Sequence, residues 1–201
     1  MNRGVGQHHG DLRHSLLTAA LQLVAESDVE QVTLRAVARR AGVSAAAPYH
    51  HFREKDALLA AVARDGFEAL ARVQLEVLGG PGAAPDRLEE LLRRYVLFAL
   101  QHHTHYRLMF RTVPTEVGGD EGEALRQAAL STFGRLAEAV RDANPGLTVD
   151  EAARRAVLAW AMAHGAVDVS RWAAGLRPGL GDEALAADVG RAVRAMALEP
   201  P

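Results

Sequence analysis

The sequence contains no cysteine, which excludes disulfides, thiolate metal sites and thiol-based redox sensing, and fits a reducing compartment. Aromatic residues make up only 5% of a chain that is 49% hydrophobic. Alanine therefore supplies much of the apolar count, and alanine is the strongest helix former. No apolar run approaches the ~20 residues of a membrane span, and the polar opening, 1–14, holds no signal-like core. The expectation is a cytoplasmic protein with no membrane partner.

Arrangements that do chemistry are also missing. No Ser-His-Asp or Cys-His pattern is visible, and the glycines at 79–82 lack the strand–loop–helix context of a phosphate site. His102, His103 and His105 invite a metal reading, but without cysteine or a convergent carboxylate they read as a solvated helix end. No catalysis, no cofactor and no metal are expected. The net charge of −2 gives no argument for nucleic acid. Residues 1–60 hold seven basic groups against six acidic ones, and five of the nine histidines (His8, His9, His14, His50, His51). That asymmetry is slight.

What is present is helical periodicity throughout, with no strand alternation and no repeat. About nine helices are expected. The first runs over 11–27 from an Asp11 cap, on Leu12, Leu16, Ala20, Leu23 and Val24. Thr33 caps a second to Ala41; Gly42 ends it and Ser44 caps a third over 45–51. A fourth runs over 54–78 and stops at the loop Gly79–Pro85. The fifth opens on a capping box of Asp86 and Glu89 and ends near His103. A short sixth surrounds 106–110, and the seventh spans 123–143. Thr148 and Glu151 form a capping box for the eighth, to about Gly175, and the ninth covers 182–198.

Residues 33–59 read TLRAVARRAGVSAAAPYHHFREKDALL. A short helix, a glycine-containing turn and a second short helix is the helix-turn-helix plan, whose second helix enters the major groove. Leu34, Val37 and Ala38 pack the first helix, Val43 plugs the turn, and Phe52 and Leu58 seat the next segment against the head. At Thr33, Val37, Ala38, Ala41–Ser44, Tyr49, Phe52, Lys55, Asp56 and Leu58 the sequence resembles the tetracycline-repressor (TetR/AcrR) family of regulators. The match includes Tyr49 and Lys55, which packing alone would not require.

The resemblance implies an all-α protein: an N-terminal three-helix DNA-binding head, 1–55, before a helical-bundle body, 56–201, for ligand binding and dimerisation. Thr33, Tyr49 and Lys55 would hold phosphates, and the helix start capped by Ser44 would offer its N–H groups to the DNA. Base reading would fall to Ala45, Ala46, Ala47, Tyr49 and His50, with Arg35 from the preceding helix. The three alanines and Pro48 depart from many relatives, which leaves the operator sequence open.

In the body, Trp160, His164 and Gly165 resemble a W-x-x-x-H-G signature of one TetR-type C-terminal domain, and Tyr106–Phe110 resembles a stretch that accompanies it. A pocket lining is sought in Tyr95, Phe98 and His102, in Tyr106, Met109 and Phe110, and in Phe133, Trp160 and His164. The same aromatics also read as plain core. On the eighth helix Ala152, Ala156, Ala159, Ala163, Ala166 and Ser170 form a small-residue stripe, read equally as a dimer face or as protomer core. Leu185, Val189, Val193 and Met196 of the ninth helix complete the candidate interface. The expected function is a repressor that grips a palindromic operator as a homodimer and is released by a small-molecule inducer. The alternative is a regulator without ligand, or an activator contacting polymerase.

Overall fold

The computed structural model describes the backbone of residues 5–112, 116–173 and 181–200, with side chains except those of 5–11 and 171–173. The described residues are helical and contain no strand. Eight α-helices run α1 Val5–Glu26, α2 Leu34–Arg40, α3 Lys55–Leu78, α4 Ala84–Gln101, α5 His103–Arg111, α6 Gly119–Ala143, α7 Val149–Ala173 and α8 Asp182–Ala197. Two 3-10 turns, Val29–Gln31 and Ala47–His50, lie either side of α2. The chain divides into two compact units: Met1–Gly66 with Thr104–Gln127, and Phe67–His103 with Ala128–Pro201.

In the first unit, α1 buries Leu16, Leu17, Ala20 and Val24. The helix begins at Val5, so Asp11 is interior to it rather than its cap. No proline interrupts 5–10, and each residue added to an established helix gains a hydrogen bond. The Thr33 cap is as expected: its hydroxyl accepts from Ala36 N at 3.1 Å. Gly42 takes φ +70°, the left-handed region open to glycine. Around it, Val43 N donates to Ala38 O at 3.0 Å and Gly42 N to Arg39 O at 3.3 Å, closing α2 as a Schellman motif.

The third element differs from the expected helix over 45–51. It is a 3-10 turn, Ala47–His50, preceded by Ala46 at the cap position, which makes no side-chain cap bond. Ser44 enters through its carbonyl, which accepts from Ala47 N at 3.0 Å. Pro48 explains the change: it has no N–H to give an i→i−4 bond. Its neighbour Tyr49 N bonds Ala46 O at 3.1 Å, the 3-10 spacing.

In the second unit α4 packs against α8 and α7, and α7 against α8. The α4–α8 approach is close enough that a Cβ at Gly190 would lie 2.6 Å from the Glu89 carbonyl oxygen. The expected Asp86–Glu89 capping box is absent. Helix α4 starts at Ala84 with Pro85 in its first turn, where the fixed φ of proline favours nucleation. Glu89 instead pairs with Arg194 of α8 at 3.1 Å. The second box is real: Thr148 N donates to Glu151 Oε2 at 2.8 Å and Glu151 N to Thr148 Oγ1 at 3.3 Å. The Thr148 hydroxyl, which donates to Glu151 Oε2 at 2.6 Å, and then the Thr148 N–H hold the Glu151 carboxyl below its ordinary pKa. The C-terminal end of α8 is held by Arg155, whose guanidinium donates to the carbonyls of Met196, Ala197, Glu199 and Pro200 at 2.7–3.2 Å. The expected end of this α7 helix at Gly175 falls outside the described residues.

Candidate nucleic-acid interface and body site

The α2–turn–3-10 segment separates its residues cleanly. Val37, Ala38, Pro48 and Phe52 are buried. Thr33, Arg35, Ser44, Ala45, Ala46, Tyr49 and His50 are exposed, with Tyr49 at 53%. Ala47 is half-buried, so less of it faces outward than the sequence pattern suggests. Arg13 lies over the Phe52 ring, its Cζ 5.4 Å from the centroid, and so ties α1 to the segment that follows the 3-10 turn.

Lys55 opens α3 and is half-buried. Its Nζ stands 3.8 Å from Glu30 Oε2, while Glu30 Oε1 takes a 2.5 Å bond from Arg111 Nη2 at the end of α5. These three line a cleft of about 200 Å³ with Asp56, Leu59 and Glu116 among its walls. A second ionic node lies deeper in the same unit. Glu121, in the first turn of α6, bonds Arg13 of α1 at 2.7 Å and Arg64 of α3 at 3.1 Å. Asp65 lies half-buried beside it; burial pushes its carboxyl above the ordinary pKa, against the pull of Arg64, Arg13 and His14. Sequence reasoning missed Glu30, Arg111 and Glu121, because partners 81 and 108 positions apart carry no local signal.

Among the pocket candidates, six fall in the second unit and three, Tyr106, Met109 and Phe110, in the first. Met109 is 2% exposed and packs at Gly66 of α3, which makes it core of that unit. Tyr106 and Phe110 pair edge-to-face, centroids 5.0 Å apart. In the second unit Trp160 Nε1 donates to Tyr95 Oη at 3.1 Å, and His164 Nδ1 lies 3.4 Å from the same oxygen. His164 Nε2 is 3.6 Å from Asp168 Oδ2. Phe133 meets Trp160 edge-on at 6.4 Å, and Phe98 tilts against His102 at 4.8 Å. Helices α4, α6 and α7 thus bring one polar relay and an aromatic wall together. Among the described residues no three His, Cys, Asp or Glu converge as metal ligands.

Four of the six residues of the small-residue stripe lie in the protomer core. Ala152, Ala156, Ala159 and Ala163 are at most 2% exposed within the single chain, and Val189 and Val193 are also buried. Ala166, Ser170, Leu185 and Met196 are half-buried. Alanines admit close helix approach, and here α7 spends that approach on its own chain. The exposed side of α7 carries Val157, Leu158, Met162 and Val169, with Val169 at 60%. None of these was in the sequence-derived interface, because the alanine periodicity drew the reading to the buried face.

An exposed helix-turn-helix ahead of an all-helical body defines a regulatory protein of the helix-turn-helix class. Residues 16–62 match the family model for bacterial regulatory proteins of the tetR family, and residues 88–187 match that for the tetracyclin repressor-like C-terminal domain. The chain belongs to the TetR family of bacterial transcriptional regulators. It is 35% identical over 92 residues to an HTH-type transcriptional repressor of Mycobacterium tuberculosis, covering 43% of this chain and 49% of that one. The alignment thus spans about half the length of the curated relatives it matches. A protein of unknown function from Rhodococcus sp. RHA1 superposes with TM-score 0.77 at 28% identity, over 96% of this chain and 98% of its own. A tetR-family regulatory protein from Rhodococcus RHA1 shares the fold at TM-score 0.72 and 18% identity, over 92% and 96% of the two chains. No described helix is long and apolar enough to cross a membrane.

Proposed function

We propose that the protein binds operator DNA as a homodimer and leaves it when a small molecule fills the body. The observation that carries the DNA part is the exposed set Thr33, Arg35, Tyr49 and His50 on a motif held in place by buried Leu34, Val37, Ala38, Pro48 and Phe52. Tyr49 offers a hydroxyl and Lys55 an ammonium to phosphates, contacts that position without specifying sequence. Arg35 and His50 read base edges, while Ala45 and Ala46 suit thymine methyls. Residues 1–55 act as the DNA-binding part and 56–201 as the sensing and dimerising part. The apolar strip Leu158, Met162 and Val169, with Val157 also exposed on the outer side of α7, supports the dimer, since these side chains meet water at a cost that a second copy would remove. The Tyr95–Trp160–His164 relay beside Phe133 supports a ligand site for an amphipathic molecule.

The test is a titration of the protein against its own upstream DNA and a scrambled duplex, repeated with Tyr49→Phe and Lys55→Ala. Selective binding that both changes weaken is expected. Loss of Lys55 lowers affinity on every duplex alike and shallows the salt dependence by about one ion. Failure to bind any genomic fragment, even after selection, contradicts the reading.

A further inference from the structure

Two polar atoms in the second unit are buried with no hydrogen-bond partner among the described residues: Oε1 of Gln74 on α3 and Nη1 of Arg135 on α6. Gln74 is only 6% exposed, and its orientation is fixed. Its Nε2 donates to the carbonyl of Thr132 at 3.1 Å, and a carbonyl can only accept, so Oε1 must face the other way. Arg135 follows Thr132 by three residues and stands one turn along the same side of α6. It makes no ion pair with any described carboxylate. Around these polar atoms the helices are apolar: Phe67 and Leu70 precede Gln74 on the buried side of α3, and Leu136 and Ala139 follow Arg135 on α6. Phe133 of α6 continues into the Trp160 contact.

A guanidinium nitrogen withdrawn from solvent without an anion is unfavourable, and so is a buried amide oxygen without a donor. Thr132, to which Gln74 is bonded, is one turn from Arg135 on α6, and a ligand reaching both would supply the partners these atoms lack. We infer that Gln74 and Arg135 form the headgroup end of a ligand site for an apolar or aromatic carboxylic acid. The carboxylate meets the Arg135 nitrogen in a charge-assisted bond. Gln74 Oε1 accepts from a hydroxyl or amide N–H carried near it. The hydrocarbon part lies along Phe133 and its neighbours. One guanidinium favours a singly charged carboxylate over a doubly charged phosphate, which would leave a second negative charge buried. This assignment rests on the proposal that the body binds a small molecule, and it names that molecule's class.

The experiment is calorimetry and thermal melting of the DNA-free full chain with a panel of short to long alkanoates and phenylalkanoates, each against its matching alcohol. Wild type should bind acids of fitting length at least about tenfold more tightly than their alcohols. Arg135→Met should erase that preference and raise the melting temperature of the unliganded protein, because an uncompensated charge has been removed. Gln74→Leu, which removes the hydroxyl acceptor but keeps Arg135, should weaken the alcohols and so widen the acid-over-alcohol preference. Acid binding that depends on Arg135 but leaves the DNA complex intact supports the site while refuting release by inducer. Equal affinity for acids and alcohols, no binding by any acid of the panel, or a lowered melting temperature in unliganded Arg135→Met overturns the inference.

Discussion

The two units build their functional surfaces in opposite ways. In the first, short elements are set by backbone punctuation: the Thr33 cap, the left-handed Gly42 and Pro48 fix α2 and the reading turn, and the side chains left over point outward. In the second, long helices are set by close packing, with Gly190 against the Glu89 carbonyl and alanines along α7; of its candidate groups Tyr95, Phe98 and Gln74 are buried, Phe133, Arg135, Trp160 and His164 half-buried, and His102 alone exposed. A surface for a large, charged partner needs exposed side chains on a rigid turn. A site for a small partner needs enclosed ones, whose polar atoms are costly until matched.

That contrast predicts where substitutions hurt most. Gly190→Val and Ala159→Leu should each destabilise the folded chain by about 2–3 kcal/mol, since neither a main-chain carbonyl nor a packed helix can give way. Thermal and urea unfolding measure this. On the opposite face of the same helix α7, Leu158→Asp with Val169→Asp should leave the melting of the protomer near wild type and weaken self-association by about 2 kcal/mol or more, as read by sedimentation. If instead these exposed changes unfold the chain and Ala159→Leu splits a dimer, the assignment of the two faces is reversed.

Smaller effects belong to the first unit. Thr33→Ala should cost about 1 kcal/mol through the lost cap, and it should lower DNA affinity beyond that through the lost hydroxyl. Asp65 should show itself in the pH dependence. Its folded pKa is raised, chiefly by burial, so the native state holds a proton that the unfolded chain has released. Stability from this group therefore falls as pH rises from the ordinary aspartate value through the raised one, and stays lower above it. Asp65→Asn should remove that slope, and melting curves across the acidic range check it.

Much of this architecture was legible in the sequence. Thr33, Gly42 and the Thr148–Glu151 box announce helix ends through chemistry local to a few residues, and the apolar periodicity located every α-helix. Local signals also misled where two competed. Asp86 and Glu89 read as a cap, but Pro85 just ahead starts the helix earlier, and Pro48 turned an expected α-turn into a 3-10 turn. The alanine stripe had two readings that sequence alone left level; burial puts Ala152, Ala156, Ala159 and Ala163 in the protomer core and leaves Ala166 and Ser170 half-buried. Gln74 and Arg135 were invisible because a single polar residue on a helix normally means a solvated face. Only the fold brings α3 against α6 and takes Gln74 and one guanidinium nitrogen of Arg135 from water.

The central claim is that the exposed turn reads DNA in a twofold pair. Selection of bound sequences from a random duplex pool by the full-length protein tests it most directly. The account predicts enrichment of an inverted repeat whose half-sites lie about one helical turn, roughly 34–36 Å, or a multiple of it apart, with Tyr49→Phe weakening both halves equally. Enrichment of a lone half-site, or of no sequence at all, would contradict it.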